Sequence, residues 1–416
     1  MNARSTPAAA LAEQPGEWVA RARALVPLLD AAGPRIDSAR ALPADVQDAL
    51  FDSRLFRLLL PASLDGIETD FVTFFRVIST LAEGDASAAW CVAQSCGGSM
   101  SAAYMAPQAA HEVFAAPRAN LAWGFAQAGC TAREVPGGWQ VSGTWGFGSG
   151  SRHATWLGGH CQVQDAAGRP RKDAQGRALE RTMLMRRETV NIVDGEWNVI
   201  GLRGTGSDTY AVKDMFVPAE YAIPPRAIGR DLQLPADAVA EPEPERRETG
   251  TLYRFASTVA FQSGFSAVAL GVARGTLDAL INLAQSKAPS PTGMRLAENV
   301  LVQVRVAQAE ARLRSAHAWI IGILEAMWEE CARTGRHSFE HRVQIRLAST
   351  WAMQEARRVV EDAYAEAGAT AIFAANPFER RMRDMQAVAQ QVQAQTVHLQ
   401  SAGQHYLGIA PSTRFL

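Results

Sequence analysis

The chain has 416 residues and carries 41 Lys plus Arg against 42 Asp plus Glu, a formal net charge of −1. That balance excludes the clustered positive charge of a broad nucleic-acid footprint and the polybasic segment of a membrane anchor. With 48% hydrophobic and 20% charged residues the chain is not disordered, and its length suits a sizeable core shared by two or three domains.

The stretch before Trp18 has no apolar run of signal-peptide length, and no window approaches about 18 uninterrupted apolar residues, so neither a leader nor a transmembrane helix is expected. From Trp18 to Pro117, Ala, Leu and Arg dominate and the pattern is helical. Asp85 and Ser87 precede the run AAWCVAQSCGGSMSAAYM, a capped helix start whose small side chains suit close packing or a cavity wall.

From Asn120 to Arg230 the chain turns to short β-rich runs: WQVSG (139–143), HATWLGGHCQV (153–163), RTMLMRR (181–187) and TYAVKDMFVP (209–218). Gly137-Gly138 signals a turn, and Gln164 to Arg177 reads as a long hairpin loop. Tyr210, Val212, Asp214 and Phe216 alternate as in a strand with one buried face. The acidic, Pro-containing stretch DLQLPADAVAEPEPERRETG (231–250) reads as an exposed, mobile linker.

Beyond Thr251 the period is helical, with Val300, Val304, Ala307 and Ala311 in one stripe. Breaks at APSPTG (288–293) and TGRH (334–337) leave helices of roughly 25–40 residues, well above the usual mean of about 11–12. Such helices suggest a bundle with a further subunit packed on it. Helices and strands do not alternate, which disfavours a single α/β sheet. The expected division is a helical N-terminal domain (1–118), a β middle domain (119–232), a linker (233–250) and a C-terminal helical bundle (251–416).

Cys91, Cys96, Cys130, Cys161 and Cys331 are odd in number and form no C-x-x-C pair. That argues against a disulfide framework or zinc ribbon and for a reducing, cytoplasmic setting. His337-Ser-Phe-Glu340-His341 matches H-x-x-E-H but starts at an exposed helix end among arginines, so no metal is expected. Gly201-Leu-Arg-Gly-Thr-Gly-Ser207 contains G-x-G yet leads into a strand, so it lacks the helix N-terminus that binds a pyrophosphate; it is a turn rich in donors. In Trp145-Gly-Phe-Gly-Ser149-Gly150-Ser151, strand alternation sets Phe147 and Ser149 on one face, able to flank a flat heteroaromatic ring. Arg380-Arg381-Met-Arg383-Asp384 opens the last long helix and suits either a phosphate or neighbouring subunit, or a salt-bridged helix surface.

Four segments together resemble the acyl-CoA dehydrogenase superfamily over nearly the whole chain: GDASAAW (84–90), WGFGSGSRHATW (145–156), GLRGTGSDTYAVKDMFVP (201–218) and AYAEAGATAIFAANPFERRMRD (363–384). The branch indicated is that of the two-component flavin-dependent monooxygenases, the aromatic hydroxylase and dibenzothiophene monooxygenase type. The resemblance implies an α+β, mainly α fold: a helical N-domain, a β-barrel-like middle domain and a C-terminal four-helix bundle, assembled as a homotetramer. It implies Phe147 against the flavin ring, Ser149 near its N5 with Gly150 and Ser151 beside it, and Trp123-Gly124-Phe125 along the pyrimidine side. Lys287 stands where the dehydrogenases carry an arginine for the flavin phosphates, but the Phe-Gly that follows there is absent, which favours FMN over FAD. Gly368-Ala369-Thr370 matches the family's Gly-rich approach to the cofactor from a neighbouring subunit.

Against the family pattern, the dehydrogenase carboxylate is missing. Gln391 and Val392 occupy its usual place and Ala260 and Phe261 the alternative one, so α,β-desaturation is disfavoured. A family histidine of the N-domain is replaced within Gln94-Ser95-Cys96-Gly97. Ser149, Gln391 and Cys96 are left as candidate catalytic groups. The reading is a monooxygenase that uses reduced flavin and O2 through a C4a-hydroperoxyflavin, with a separate NAD(P)H:flavin reductase as partner. An acyl-CoA dehydrogenase-like enzyme with an unusual base and a non-catalytic flavin-binding relative are the alternatives.

Overall fold

The N-terminal helices begin where the caps dictate. The Asp70 carboxylate accepts from the Thr73 amide (2.9 Å) and starts a helix at Phe71; Asp85 does the same for Ala88 (2.9 Å) at Ala86. Ser87, the other candidate cap, lies one residue inside that helix. The computed structural model describes residues 15–172, 176, 178–193, 195–223, 246–287 and 294–409. Most of the linker (233–245) and the break at 288–293 lie outside the described residues.

Helices α1 (Pro15–Ala39), α2 (Ala44–Asp52), α3 (Phe71–Gly84), α4 (Ala86–Ser99) and α5 (Pro107–Phe114) precede the strands. Strands β1 (Leu121–Ala126), β2 (Thr131–Val135), β3 (Gly138–Gly148), β4 (Trp156–Gln164), β5 (Glu180–Arg186), β6 (Asn191–Val193), β7 (Asp208–Pro218) and β8 (Ala222–Ile223) form one sheet in the order β6-β7-β3-β1-β4-β5-β8. β1 and β2 both lie between β3 and β4, antiparallel to the first and parallel to the second, so they act as one strand interrupted at 127–130. The alternation expected from Tyr210 to Phe216 fails at Asp214. Asp214 adopts φ 51° beside a bulge between β3 and β7, and Phe216 is left exposed.

The long helices follow as α6 (Ser257–Ser286), α7 (Val300–Thr334) and α8 (Phe339–Ala367), of 30, 35 and 29 residues. Gly335, at φ 82°, ends α7 in the left-handed conformation that glycine tolerates, at the expected break. The Arg380 segment is not on a long helix. α9 (Pro377–Ala389) has 13 residues and stops before a 3-10 turn at Val392–Ala394, and α10 (Val397–Tyr406) follows. α6 is apolar and long enough by composition to cross a membrane, but it is mostly buried, packed by α3, α4, α8 and α9. A single core runs through both helical regions, from Phe74 and Ile78 on α3 to Val268 on α6 and Val359 on α8.

α9 joins these parts. Arg380 donates to Asp85 (2.9 Å) at the start of α4, both side chains being buried. Arg381 donates to the Glu83 carbonyl (2.9 Å) and Asp30 (3.0 Å), and Arg383 to Asp37 (2.9 Å) and the Ile200 carbonyl (2.7 Å). Asp384 accepts from the Leu202 amide (2.7 Å); burial, with the Asp85 charge adding to it, pushes its carboxyl up to about 7. The arginine cluster is therefore committed to the chain's own carboxylates and carbonyls rather than to a phosphate. A side chain at Gly201 would lie 2.0 Å from the Arg383 carbonyl oxygen, so glycine is what lets the strand-side loop reach α9.

Arg380→Met leaves the Asp85 carboxylate buried without its partner, and urea unfolding is expected to show a loss of about 3–5 kcal/mol. Gly201→Ala, which forces the loop off α9, is expected to cost about 2–4 kcal/mol in the same measurement.

Candidate active site

The hydroxyls of the 201–207 loop meet the end of β3 at the junction with α4. Trp90 of α4 donates its indole N–H to the Ser149 hydroxyl (3.1 Å). Ser149 Oγ lies 2.8 Å from Ser207 Oγ, and Ser207 lies 2.7 Å from Thr205 Oγ1, which donates to the Leu202 carbonyl (2.7 Å). Each hydroxyl has one proton to give, so the run Trp90, Ser149, Ser207, Thr205 and Leu202 forms a directional chain. Ser151 donates to the Gly206 carbonyl (2.9 Å), and Arg152 pairs with the buried Asp208 (2.8 Å), which holds the loop closed on β3. Gly150 turns at φ 83° and its amide donates to the Thr205 carbonyl (2.9 Å).

Phe147 and Ser149 do not share a strand face. β3 ends at Gly148 after a register shift, Phe147 stands at φ 61°, and the alternation stops there. Ser149 turns into the junction while Phe147 stays 63% exposed. Phe147 meets Phe125 (centroids 6.4 Å) and Trp197 (6.0 Å) edge-on, and Phe125 is itself 62% exposed. On the same face of β1, Trp123 is buried against Phe261 of α6 (6.0 Å), whose neighbour Phe265 stacks on Trp90 (4.1 Å). Gly124 gives its amide to the Tyr210 hydroxyl (2.7 Å), and a Cβ there would lie 2.4 Å from the Gly146 carbonyl oxygen. The result is two runs of rings, Phe125, Phe147 and Trp197 at the surface and Trp123, Phe261, Phe265 and Trp90 in the interior, the second ending at the Ser149 hydroxyl. A flat, heteroatom-edged ring such as a flavin fits that combination of apolar faces and edge donors.

The other expected residues fall elsewhere. Lys287 donates to Thr370 Oγ1 (3.0 Å), and Gly368 takes φ 61° at the end of α8, so Lys287, Gly368, Ala369 and Thr370 form a second set. Phe261 and Lys287 are separated by roughly 40 Å of α6 at 1.5 Å per residue, so one chain does not bring the two sets together. Gln391 caps the turn after α9, its amide oxygen accepting from the Gln393 amide (2.6 Å). Cys96 is a correction. Its thiol donates to the Leu55 carbonyl (3.4 Å) within the helical core, and burial pushes it up to about 12, which disfavours a thiolate. Gly97 instead is the residue of that segment that lies against Phe261.

His341 pairs with Glu330, Glu340 with His405, and His337 stacks on Phe255, so the H-x-x-E-H side chains do not converge. Among the described residues no group of three His, Cys, Asp or Glu could hold a metal. Phe265 carries no local signal in the sequence; Trp90, Thr205, Ser207 and Tyr210 lie in segments that carry the family resemblance, but nothing local gives them a place at the site.

Residues 263–396 match the family model described as acyl-CoA dehydrogenase, C-terminal domain. An indole-3-acetate monooxygenase of Pseudomonas putida is 28% identical over 99% of this chain and 98% of its own length. The flavin-dependent monooxygenase oxygenase subunit HsaA of Rhodococcus jostii is 28% identical over 88% and 92%. XiaF from a Streptomyces species, solved with FADH2 and glycerol, superposes with a TM-score of 0.83 at 24% identity, over 95% of this chain and 96% of that one.

Burial pushes His153 down to about 4; burial first, then nearby arginines, do the same to His337 and His398. Folding therefore favours their neutral forms. The stability this gives is complete above the unfolded value of about 6.5 and is lost as pH falls towards 4, by up to about 2 kcal/mol each at pH 5. A melting temperature clearly lower at pH 5 than at pH 7.5 is expected, and His153→Phe should flatten part of that slope.

Proposed function

Since the chain belongs to the acyl-CoA dehydrogenase superfamily, on the branch of the flavin-dependent monooxygenases, we propose that it is the oxygenase component of a two-component monooxygenase acting on a small organic substrate. Reduced flavin, supplied by a separate NAD(P)H:flavin reductase, provides the electrons that activate O2 and leave one oxygen atom in the product. The observation that carries the reading is the Ser149 hydroxyl, held at the junction by Trp90 and Ser207 two residues after the exposed Phe147 at the end of β3.

The chain's own residues would do the following. Phe125 and Phe147 cover the ring and keep water from it, while Gly124, having no Cβ, lets β1 close on the Gly146 carbonyl of β3 behind them. Ser207 sets where the Ser149 proton points. When its hydroxyl donates to Thr205, Ser149 donates to it; when it turns to donate to Ser149, the Ser149 proton is released towards the ring edge. Gln391 is a polar group for the substrate side but cannot take up a proton near neutral pH, so the oxygen transfer proceeds without a carboxylate base there. Lys287 and Gly368-Ala369-Thr370 would serve the cofactor of a second copy of the chain, in keeping with their distance from Phe261 along α6. A homotetramer is the assembly this supposes.

Mixing the protein with reduced FMN or FAD and then with oxygenated buffer is expected to slow flavin reoxidation relative to free flavin and to resolve it into two phases. With a turned-over substrate, 18O2 should place one labelled atom in the product. Turnover with an artificial electron acceptor and no label in the product would overturn the reading. Ser149→Ala should weaken reduced-flavin binding about tenfold, roughly 1.4 kcal/mol, with Ser207→Ala shifting it the same way by less.

A further inference from the structure

The hydroxyl chain that reaches Ser149 has a carboxylate at its other end. Asp384 of α9 is 3% exposed and accepts from the Leu202 amide (2.7 Å). The Leu202 carbonyl accepts the Thr205 hydroxyl (2.7 Å), Thr205 meets Ser207 (2.7 Å), and Ser207 meets Ser149 (2.8 Å), which receives the Trp90 indole N–H (3.1 Å). All six residues are buried, so bulk water does not interrupt the run. Leu202 itself stands at φ 52° and ψ 31°, the left-handed region that a leucine enters only under restraint. Asp384 holds it by its N–H and Thr205 by its carbonyl, while Gly201 sits hard against the Arg383 carbonyl.

Charged groups approach Asp384 from each element packed on α9. Asp85 at the start of α4 raises its carboxyl, and Arg380 and Arg383 of α9 itself lower it. The others are bound elsewhere: on α1, Asp30 by Arg381 and Asp37 by Arg383; on α6, Asp278 by Arg274; on α8, Glu361 by Arg357 and Gln386. Arg203 of the loop leans on Asp37 (3.5 Å). Asp85 is held in its charged form by the Ala88 amide and the Arg380 guanidinium. Asp384 is therefore the one of the two buried carboxylates that takes up a proton, and burial brings that step to about 7.

A charge at one end of a hydrogen-bonded run orders the hydroxyls along it. We infer that Asp384 is a positioning residue for Ser149: its negative charge, applied through Leu202, draws the protons of Thr205, Ser207 and Ser149 towards α9. Ser149 then accepts from Trp90, gives its own proton to Ser207 and turns only a lone pair outwards. When Asp384 is neutral, its bond to the Leu202 amide loses its charge-assisted strength, and the left-handed Leu202 loses part of its restraint. Thr205 and Ser207 are then free to turn, and Ser149 offers a proton instead. The inference rests on the flavin reading only for what that outward face meets. There a reduced ring presents an N–H at N5 and an oxidised ring a lone pair, so ionised Asp384 favours the reduced form and neutral Asp384 the oxidised one.

The first measurement is made on the full chain without flavin, so its failure is separable from failure of the oxygenase reading. The chain has ten tryptophans, and nitrogen-15 labelling with Trp90→Phe as the reference assigns the Trp90 indole N–H resonance. That resonance is expected to move between pH 5.5 and 8.5 with a midpoint near 7, and to stay still in Asp384→Asn, which keeps an acceptor oxygen for Leu202 without the charge. It should also stay still in Thr205→Val, which keeps the shape of the threonine and removes the proton that links Leu202 to Ser207. With flavin added, the reduced-to-oxidised affinity ratio of Asp384→Asn should fall about fivefold below the wild type at pH 8 and match it at pH 5.5. The inference is overturned if the wild-type resonance does not titrate in this range or titrates alike in Asp384→Asn. It is equally overturned if Thr205→Val leaves the response intact, which would make the charge act directly and not through the hydroxyls, or if both forms of flavin bind Asp384→Asn with an unchanged ratio at pH 8. Should Asp384→Asn fail to fold, Thr205→Val decides alone.

Discussion

The buried pair between Arg380 and Asp85 is the interaction on which the rest of the molecule depends. Asp85 already accepts from the Ala88 amide at the start of α4, so one carboxylate both begins the helix that carries Trp90 and receives the arginine of α9. Four residues further along α9, Asp384 takes the Leu202 amide of the loop that carries Thr205 and Ser207. One helix of 13 residues therefore positions both sides of the junction where Ser149 lies. Arg381 and Arg383 extend the same clamp to α1, at Asp30 and Asp37.

This arrangement explains why the site is placed at a junction and not within one element. The sheet supplies aromatic surface and close backbone approach; the helices supply a closely packed core. Neither alone fixes the Ser149 hydroxyl, whose partners come from α4 on one side and from the 201–207 loop on the other. Side chains with several rotamers are held here by second contacts, which is the condition for a site accurate to fractions of an ångström.

Much of the fold was legible from periodicity and punctuation. The helical, then β-rich, then helical order, the break at Gly335 and the cap at Asp85 follow from local chemistry. What was not legible depended on tertiary geometry. Nothing local distinguishes a regular strand from one whose Phe147 takes a positive φ, so the expected Phe147 and Ser149 face did not form. The same holds for Asp214, where a bulge turns Phe216 outwards. Composition could not decide whether the arginines of α9 hold a phosphate or the chain itself, because their acidic partners are up to 351 residues distant in sequence. Cys96 looked like a site residue by position, and only the direction of its side chain removes it.

The open lip formed by Phe125, Phe147 and Trp197 has a consequence for handling as well as for chemistry. Among the described residues nothing covers Phe125 and Phe147, while Trp197 is half-buried with its indole N–H on the Arg203 carbonyl; Phe147 is turned outwards by its positive φ. A chain stripped of whatever covers them shows water a contiguous aromatic patch, the kind of surface that adheres to other chains and to apolar resins. Whatever covers the lip then acts as a solubilising agent for the protein, and colloidal behaviour becomes a direct report on how fully the site is filled.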